Sequence, residues 1–596
     1  MQDTPRHIYD SGIIGNCAYI AHVNRRGNVS WLCWPYFDSS CVFGGLLDTR
    51  RAGEFSIEPA GQYESRQYYL ENTNVLCTEF TCRDGRYRVV DFAPRFPHFE
   101  RVFKPYQLFR KIELLEGTPR IYVRCHPTYD YGELKPTTTP GSNHIAYQGL
   151  GVSLRLTGSV PQAYVLSDHP FVLTQNHYLV FSFANPLEAP LESVSEEFLK
   201  KTIEYWRGWV RYSTIHAFEQ KAVIRSCLAL KLHQYEDTGA IIAASTTSLP
   251  ESPNSGRNWD YRYCWIRDTY YTLSALRNIG HGSELERYAH FIQNIAAETD
   301  GRYCPVYSIR GQNDLPERVL ELDGYLGNQP VRIGNQAVEH VQNDVYGQIL
   351  VSLLPLIVDE RFSHLNSIGN TRLIFDLLAQ IEKTMDEPDA GLWEFRNASQ
   401  LHCYTFLFHW IGAHAARRIG VYLADTAMVS RATTLVNQAA ERIERCYDAA
   451  NGVYTQAIGS DTLDASLLQL ITLGYLDPAS EKAARHLKGL EAKLKTENGL
   501  FYRYLHEDDF GRPHTTFLIC SFWYIEALAT VGRTEEAIDG FRHLLTYAND
   551  LGLLSEDIDD ADGGQWGNYP QTYSHVGLVN AAFRIAKKLD RPDFLW

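Results

Sequence analysis

The C-terminal part of this chain alternates helix-like segments with connections of two very unequal kinds, and that alternation limits the folds open to it. Apolar periodicity and breaker residues predict roughly a dozen helices. They fall near 217–236, 268–280, 283–299, 335–356, 370–385, 401–419, 425–448, 463–473, 478–493, 515–532, 534–549 and 573–590. Within each successive pair the connection is long: Trp259 to Asp268, Asp300 to Gly334, Asp386 to Asn397, Asp448 to Asp461, Lys495 to His514 and Asp550 to Gln571 lie in these loops. Between pairs it is mostly short, as in Gly280-His-Gly or Val531-Gly-Arg. A solenoid or a closed double ring, the (α/α)6 barrel, could hold such helices. In an alternating up-down ring every long loop emerges at the same end, so the polar, aromatic-rich connections share one face, where function is usually carried.

The first part of the chain has a different texture. Ala18 to Val23, Arg25-Arg26-Gly27 and Val29 to Cys33 read as a hairpin, and short runs such as Tyr87-Arg-Val-Val-Asp91 and Ile121-Tyr-Val-Arg-Cys125 recur between Gly, Pro, Asn and Asp. This is the pattern of an antiparallel β-sandwich. The expected organisation is therefore multidomain α and β: an N-terminal β-sandwich over 1–190, a linker helix over 191–215 and a C-terminal barrel over 216–596. Ser195-Glu-Glu-Phe is read as the linker helix's N-terminus, with Ser195 as cap and acids in the first turn.

A net charge of −15 argues against nucleic acid or an anionic membrane as main partner, since either favours a basic face. No run has the length of a membrane span, and Met1 to His7 has no apolar export segment. The twelve cysteines are scattered from Cys17 to Cys520 without zinc spacing. A cytoplasmic protein without a metal is the simplest expectation. Oligomeric state is not legible.

The chemistry concentrates in the long loops. Asn258-Trp-Asp-Tyr-Arg-Tyr-Cys-Trp-Ile-Arg-Asp268 combines aromatic rings with guanidinium and carboxylate groups. Rings cover the apolar faces of a pyranose while fixed donors and acceptors read its hydroxyls; a buried aromatic turn with a structural ion pair is the alternative. Two further loops each bring an acid to the same rim: Asp386-Glu-Pro-Asp-Ala-Gly-Leu-Trp-Glu394, and Leu553-Leu-Ser-Glu556. Paired acids beside a sugar-binding segment suit glycoside hydrolysis, one protonating the leaving oxygen and the other activating water or attacking the sugar. An acid beside Trp393 is expected to have its pKa raised by desolvation.

In order and spacing these segments resemble glycoside hydrolase family 15, the glucoamylase family, and its bacterial and archaeal trehalase-like branch. Ile14-Gly-Asn-Cys through Ser39 is similar to the branch's β domain. Tyr261 to Asp268 is similar to its sugar-binding segment, Pro330 to Asn335 and Asp344 to Gly347 to the loop and helix behind it, Asp389 to Glu394 to its general-acid motif, and Leu554-Ser-Glu556 with Gly567 to His575 to its general-base region. The resemblance implies an exo-acting, inverting α-glucosidase that needs no cofactor, with Glu394 as general acid and Glu556 as general base. Arg267 and Asp268 would hold the glucose, Trp265 and Tyr261 would wall the pocket, and Arg332 and Trp393 would line it further.

Departures bear on the substrate. Phe395 stands where fungal members carry a second acid, and His514-Thr-Thr516 replaces their Asn-Pro-Trp segment. Around His402-Cys-Tyr-Thr-Phe406 the lysine usual in trehalase-like relatives is missing. With no added starch-binding module expected, the reading is an α-glucosidase of glucoamylase type acting on small neutral gluco-oligosaccharides. A trehalase of the same family, or a catalytically silent carbohydrate sensor, is the alternative.

Overall fold

A computed structural model describes residues 6–183, 187, 189–299, 301–365 and 368–589, with 363–365 and 368–370 described by backbone alone. Asp300 at the start of its long loop, position 590 at the end of the last expected helix, Met1 to Pro5, and part of the expected boundary of the β domain (184–186 and 188) lie outside the described residues.

The N-terminal region is an antiparallel β-sandwich. One sheet has eight strands in the spatial order 137–140, 144–148, 154–158, 177–183, 107–117, 85–92, 76–82 and 63–69. Facing it are the meander Ser11–Gly15, Ile20–Asn24, Val29–Cys33 and Cys41–Phe43, and a three-stranded sheet built on Arg120–His126. Alternation along each strand sends one set of side chains between the sheets, where Trp34 stacks on Phe181 at 5.4 Å. Arg110 crosses the same core, paired with Asp91 at 2.7 Å and donating to the Phe55 and Gly27 carbonyls. A buried pair of this kind persists only because its remaining donors are also satisfied.

A helix, Leu191–Arg211, leads into the barrel. It begins four residues before Ser195, which is a correction to the expected cap. Pro190 precedes the first turn, where a missing N–H is harmless. Ser195 instead lies inside the helix, its Oγ donating to the Leu191 carbonyl at 2.6 Å.

Twelve α-helices follow among the described residues: Gln220–His233, Ile266–Asn278, Gly282–Glu298, Val345–Val358, Ile368–Thr384, Cys403–Tyr422, Thr426–Glu444, Gln469–Thr472, Glu481–Leu494, Leu518–Thr530, Thr534–Leu545 and Thr572–Lys588. The second, fourth, sixth, eighth (with the 3-10 turn Ala465–Leu468 before it), tenth and twelfth touch one another in sequence, and the twelfth returns to the second. That closure makes the inner ring of an (α/α)6 barrel rather than a solenoid. Inner helices are buried on nearly every side, as in Leu518–Thr530, all of whose residues are buried, so they show little amphipathicity. The helix expected over 335–356 starts only at Val345. Gln336–Glu339 is a short 3-10 turn capped by Asn335, and residues 340–344 stay irregular.

The two regions share buried contacts. The Trp31 indole donates to the Ser245 carbonyl at 2.8 Å, and the His22 ring is 2.8 Å from the Ser245 hydroxyl. Arg95 of the sandwich pairs with Glu236 at 2.6 Å, beside Lys231 and its partner Glu284 at 2.9 Å. Among the described residues no helix is long and apolar enough to cross a membrane.

Candidate active site

The long loops meet at one end of the barrel, and the stretch from Asn258 to Asp268 is their keystone. Asn258–Asp260 pairs with Thr247–Pro250, and Cys264–Trp265 pairs with Val306–Tyr307. The inner helix starting at Ile266 then places Arg267 and Asp268 in its first turn. Tyr261, Tyr263 and Trp265 pack into one cluster. Arg262 points the other way, into the sandwich, where it pairs with Asp260 and reaches the Ser39 carbonyl at 2.7 Å and the Tyr131 hydroxyl at 3.0 Å.

Glu394 is delivered by the loop after Ile368–Thr384. Three donors converge on its Oε1: Trp265 Nε1 at 2.8 Å, Gln342 Nε2 at 3.1 Å and Arg267 Nη2 at 3.3 Å. None of the three uses Oε2. Arg267 is fixed in turn by Gln342 Oε1 at 2.8 Å and the Tyr573 hydroxyl at 3.1 Å. The backbone at Glu394 has φ of +62°, a left-handed conformation that non-glycine residues rarely adopt and that is concentrated at functional sites. Asp389 braces this loop, accepting from the Asn343 and Gly391 amides and the Thr405 hydroxyl. Burial and the neighbouring Asp344 push its carboxyl up to about 7.

Glu556 lies across the site, on the loop before the last helix. Its main chain is held by the Leu518 amide at 2.9 Å and the Asn568 carbonyl at 3.2 Å. Its side chain is held through Oε2 by the Asn568 amide at 2.9 Å, and the Tyr261 hydroxyl faces the same carboxyl; Oε1 is buried and makes no close hydrogen bond among the described residues. Tyr261 is its neighbour on the pocket side, and the Tyr261 ring sits edge-on to Trp265 at 5.5 Å. The two aromatic rings thus link the surroundings of the two glutamates, Trp265 touching Glu394 and Tyr261 touching Glu556. Burial, then the nearby Glu251 carboxylate, pushes the Glu556 carboxyl up to about 8. Asp268 is similar: its Oδ2 is buried without a hydrogen bond, the Arg267 Nε standing 3.8 Å away, and burial, opposed by Arg267, raises it to about 7. The desolvation expected beside Trp393 is therefore found at Glu556 and Asp268. Glu394 keeps 23% of its side chain exposed, and the Trp393 indole turns to Asp464 at 2.9 Å.

Beside these groups is a narrow cavity open to solvent. Of the expected residues, Tyr261, Trp393 and Glu394 line it. Trp265, Arg267 and Asp268 form a buried layer in contact with Glu394 or one another, and Glu556 lies behind Tyr261. Arg332 does not line the cavity. It stands one layer out, paired with Glu317 at 3.3 Å and stacked on Trp259 at 4.7 Å. Four contributors were not singled out from sequence: Gln342, Asn568, Arg503 and Glu251. Glu251 is paired with Arg503 and accepts from the Trp259 indole at 3.2 Å. Among the described residues no group of three or more His, Cys, Asp or Glu is arranged to hold a metal ion.

The family model described as glycosyl hydrolases family 15 matches residues 217–583, and a trehalase-like N-terminal model matches residues 2–153. Similar chains include a trehalase of Thermoplasma volcanium, 32% identical over 600 residues that span 97% of this chain and 93% of that one. A Mycobacterium tuberculosis trehalase is 30% identical, spanning 96% of this chain and 88% of its own length. Among solved structures, a bacterial glucoamylase complexed with acarbose superposes with a TM-score of 0.70 over 98% of this chain and 95% of that one, at 14% identity. This last likeness concerns the fold.

Proposed function

The chain belongs to glycosyl hydrolase family 15, and we propose that within it this enzyme is an inverting trehalase that hydrolyses α,α-trehalose to two glucoses. The observation that carries the chemistry is the pair of glutamates fixed in opposite senses. Glu394 is anchored through Oε1 with Oε2 outside that network, and Glu556 is anchored through Oε2 with Oε1 buried and making no close hydrogen bond, the Tyr261 hydroxyl facing the same carboxyl. Trehalose is preferred over an α-1,4-glucan because the full-length relatives near 30% identity are named trehalases, whereas the glucoamylase likeness rests on shape at 14% identity.

In this reading one glucose rests on Trp265 and Tyr261, with hydroxyls bonded to Arg267 and to Asp268 Oδ2, which makes no hydrogen bond within the protein. Glu394 gives a proton from Oε2 to the oxygen bridging the two anomeric carbons. As that C–O bond breaks, water attacks the held anomeric carbon from the opposite face and loses its proton to Glu556 Oε1. Inversion requires the carboxyl groups to stand about 6.5–9.5 Å apart, leaving room for that water. The held glucose leaves as the β anomer and the departing glucose keeps the α configuration. Proton NMR of the first products should therefore show equal α- and β-glucose; α-glucose alone would mean retention and overturn both assignments. Turnover of maltose but not trehalose would replace the substrate.

Glu251 offers a pH test of the base. Its carboxylate disfavours the ionised form of Glu556, and its pairing neutralises part of the Arg503 charge that favours it. Glu251→Gln removes the first effect and unmasks the second, so both lower the pKa of Glu556. The limb of the pH profile of kcat/KM that reports Glu556 should move toward acid by about one unit. A limb that stays in place, or moves toward alkali, would remove Glu251 from this role.

A further inference from the structure

At the mouth of the cavity the chain makes a tight turn. Asp508 and Gly511 form a bridge, and Asp509 and Phe510 make the tip. Both tip residues line the cavity together with Glu394. The turn is tied down on two sides. The Asp509 carboxylate accepts from the Arg396 amide and from Asn397 Nδ2, each at 2.6 Å, which joins it to the segment two residues after Glu394. Asp508 pairs with Arg257, whose guanidinium also donates to the Gly511 carbonyl at 2.7 Å. Phe510 packs against two guanidinium groups, Arg396 at 5.2 Å and Arg257 at 5.6 Å, and meets Trp259 edge-on at 5.0 Å. Such cation–ring contacts hold an otherwise exposed ring in one place.

We propose that this turn is the chain-length filter of the site: clasped to the loop that carries Glu394, it closes the leaving-sugar side after a single sugar. The inference rests on the reading of Glu394 as the acid facing the leaving group. The sugar whose bond is cut sits against the buried layer of Arg267 and Asp268, so a substrate extends only outward, past Glu394. The leaving sugar fills the space beneath the turn. A third sugar must pass through the volume held by Asp509 and Phe510. Trehalose ends at the second sugar and meets no obstacle, whereas an α-glucan chain does.

Binding separates this filter from the identity of the substrate, because it needs no turnover. By titration calorimetry, the wild type should bind the single-ring iminosugar 1-deoxynojirimycin well and the longer pseudo-oligosaccharide acarbose weakly. In Asp509→Ala, which cuts the clasp, and in Phe510→Ala, which removes the ring, acarbose should bind about tenfold more tightly or better, with the iminosugar's Kd changed less than about threefold. Tight binding of acarbose by the wild type would overturn the filter. So would an unchanged ratio of the two affinities in both variants, an equal loss of both ligands, which marks a turn that only supports the fold, or failure of the wild type to bind either. Failure of the trehalase reading would instead show as absent trehalose hydrolysis with the calorimetric pattern intact.

Discussion

Glu556→Gln should lower kcat on trehalose by about 10²–10⁴-fold, the usual contribution of a positioned acid or base, while the enzyme stays folded. The amide can still occupy the cradle made by the Asn568 amide, but it cannot take a proton from water. Glu394→Gln should cause a loss of similar size on the same substrate. The two roles separate on α-glucosyl fluoride, whose leaving group departs without protonation. There Glu394→Gln should recover most of the wild-type rate, and Glu556→Gln should remain as impaired as on trehalose, because water must be activated in either case. Equal losses for Glu394→Gln on both substrates would mean that this residue is not the acid. Recovery of Glu556→Gln on the fluoride would exchange the two roles.

The parts of the site that were legible in the sequence are those where the chemistry is compressed into a short stretch. Tyr261, Trp265, Arg267 and Asp268 lie within eight consecutive positions, and a strand running into a helix N-terminus can point them only a few ways. The unequal loop lengths carried the ring architecture, because chain direction alone decides at which end a loop emerges. Where a residue's role depends on packing from elsewhere, the reading went astray. Arg332 lies in the strand Val331–Ile333, both of whose flanking side chains are buried, and alternation turns its own side chain toward Glu317 and Trp259. Gln342 was hidden inside an expected helix that in fact begins at Val345. Glu251 is a lone acid after Pro250, and nothing local reveals that Arg503, more than two hundred residues away, comes to pair with it. Burial has the same character: Trp393 sits beside Glu394 in sequence, yet of the two glutamates the more buried is Glu556, which the last loop folds inward.

Arg262 gives the β region a role in the site. Between Tyr261, which lines the cavity, and Tyr263, Arg262 is fully buried among sandwich groups that hold it through Ser39 and Tyr131. A guanidinium fixed on that side limits rotation of the segment carrying the pocket wall on the other. Positioning of Tyr261 and Trp265, and through Trp265 of Glu394, thus depends on a region that contributes none of the proposed acid, base or sugar-binding groups.

Gly567 presses its backbone against Glu556, the proposed base. Its φ is +75°, and a Cβ placed there would fall 2.5 Å from Glu556 Cβ and 2.6 Å from Glu556 Oε2. Neither contact can relax by a simple rotation, because the Glu556 main chain is held at both its N–H and its carbonyl and Oε2 is tied to Asn568. Gly567→Ala should therefore push the carboxylate out of line with the anomeric carbon. Misplacement of a reacting group by about 1 Å can lower a rate about 10²-fold, so kcat should fall by about that factor or more, with a smaller change in KM. The substitution also strains the backbone by about 1–2 kcal/mol, and Gly474→Ala isolates that part. Gly474 has φ of +78° and nothing within 4 Å of the added methyl, so its variant should lose comparable stability in urea and keep its kcat. If Gly567→Ala retained kcat within about tenfold of the wild type, Glu556 would have room to move without penalty, and its fixed position could not be what aligns the water. If both variants lost activity alike, strain rather than collision would be the cause.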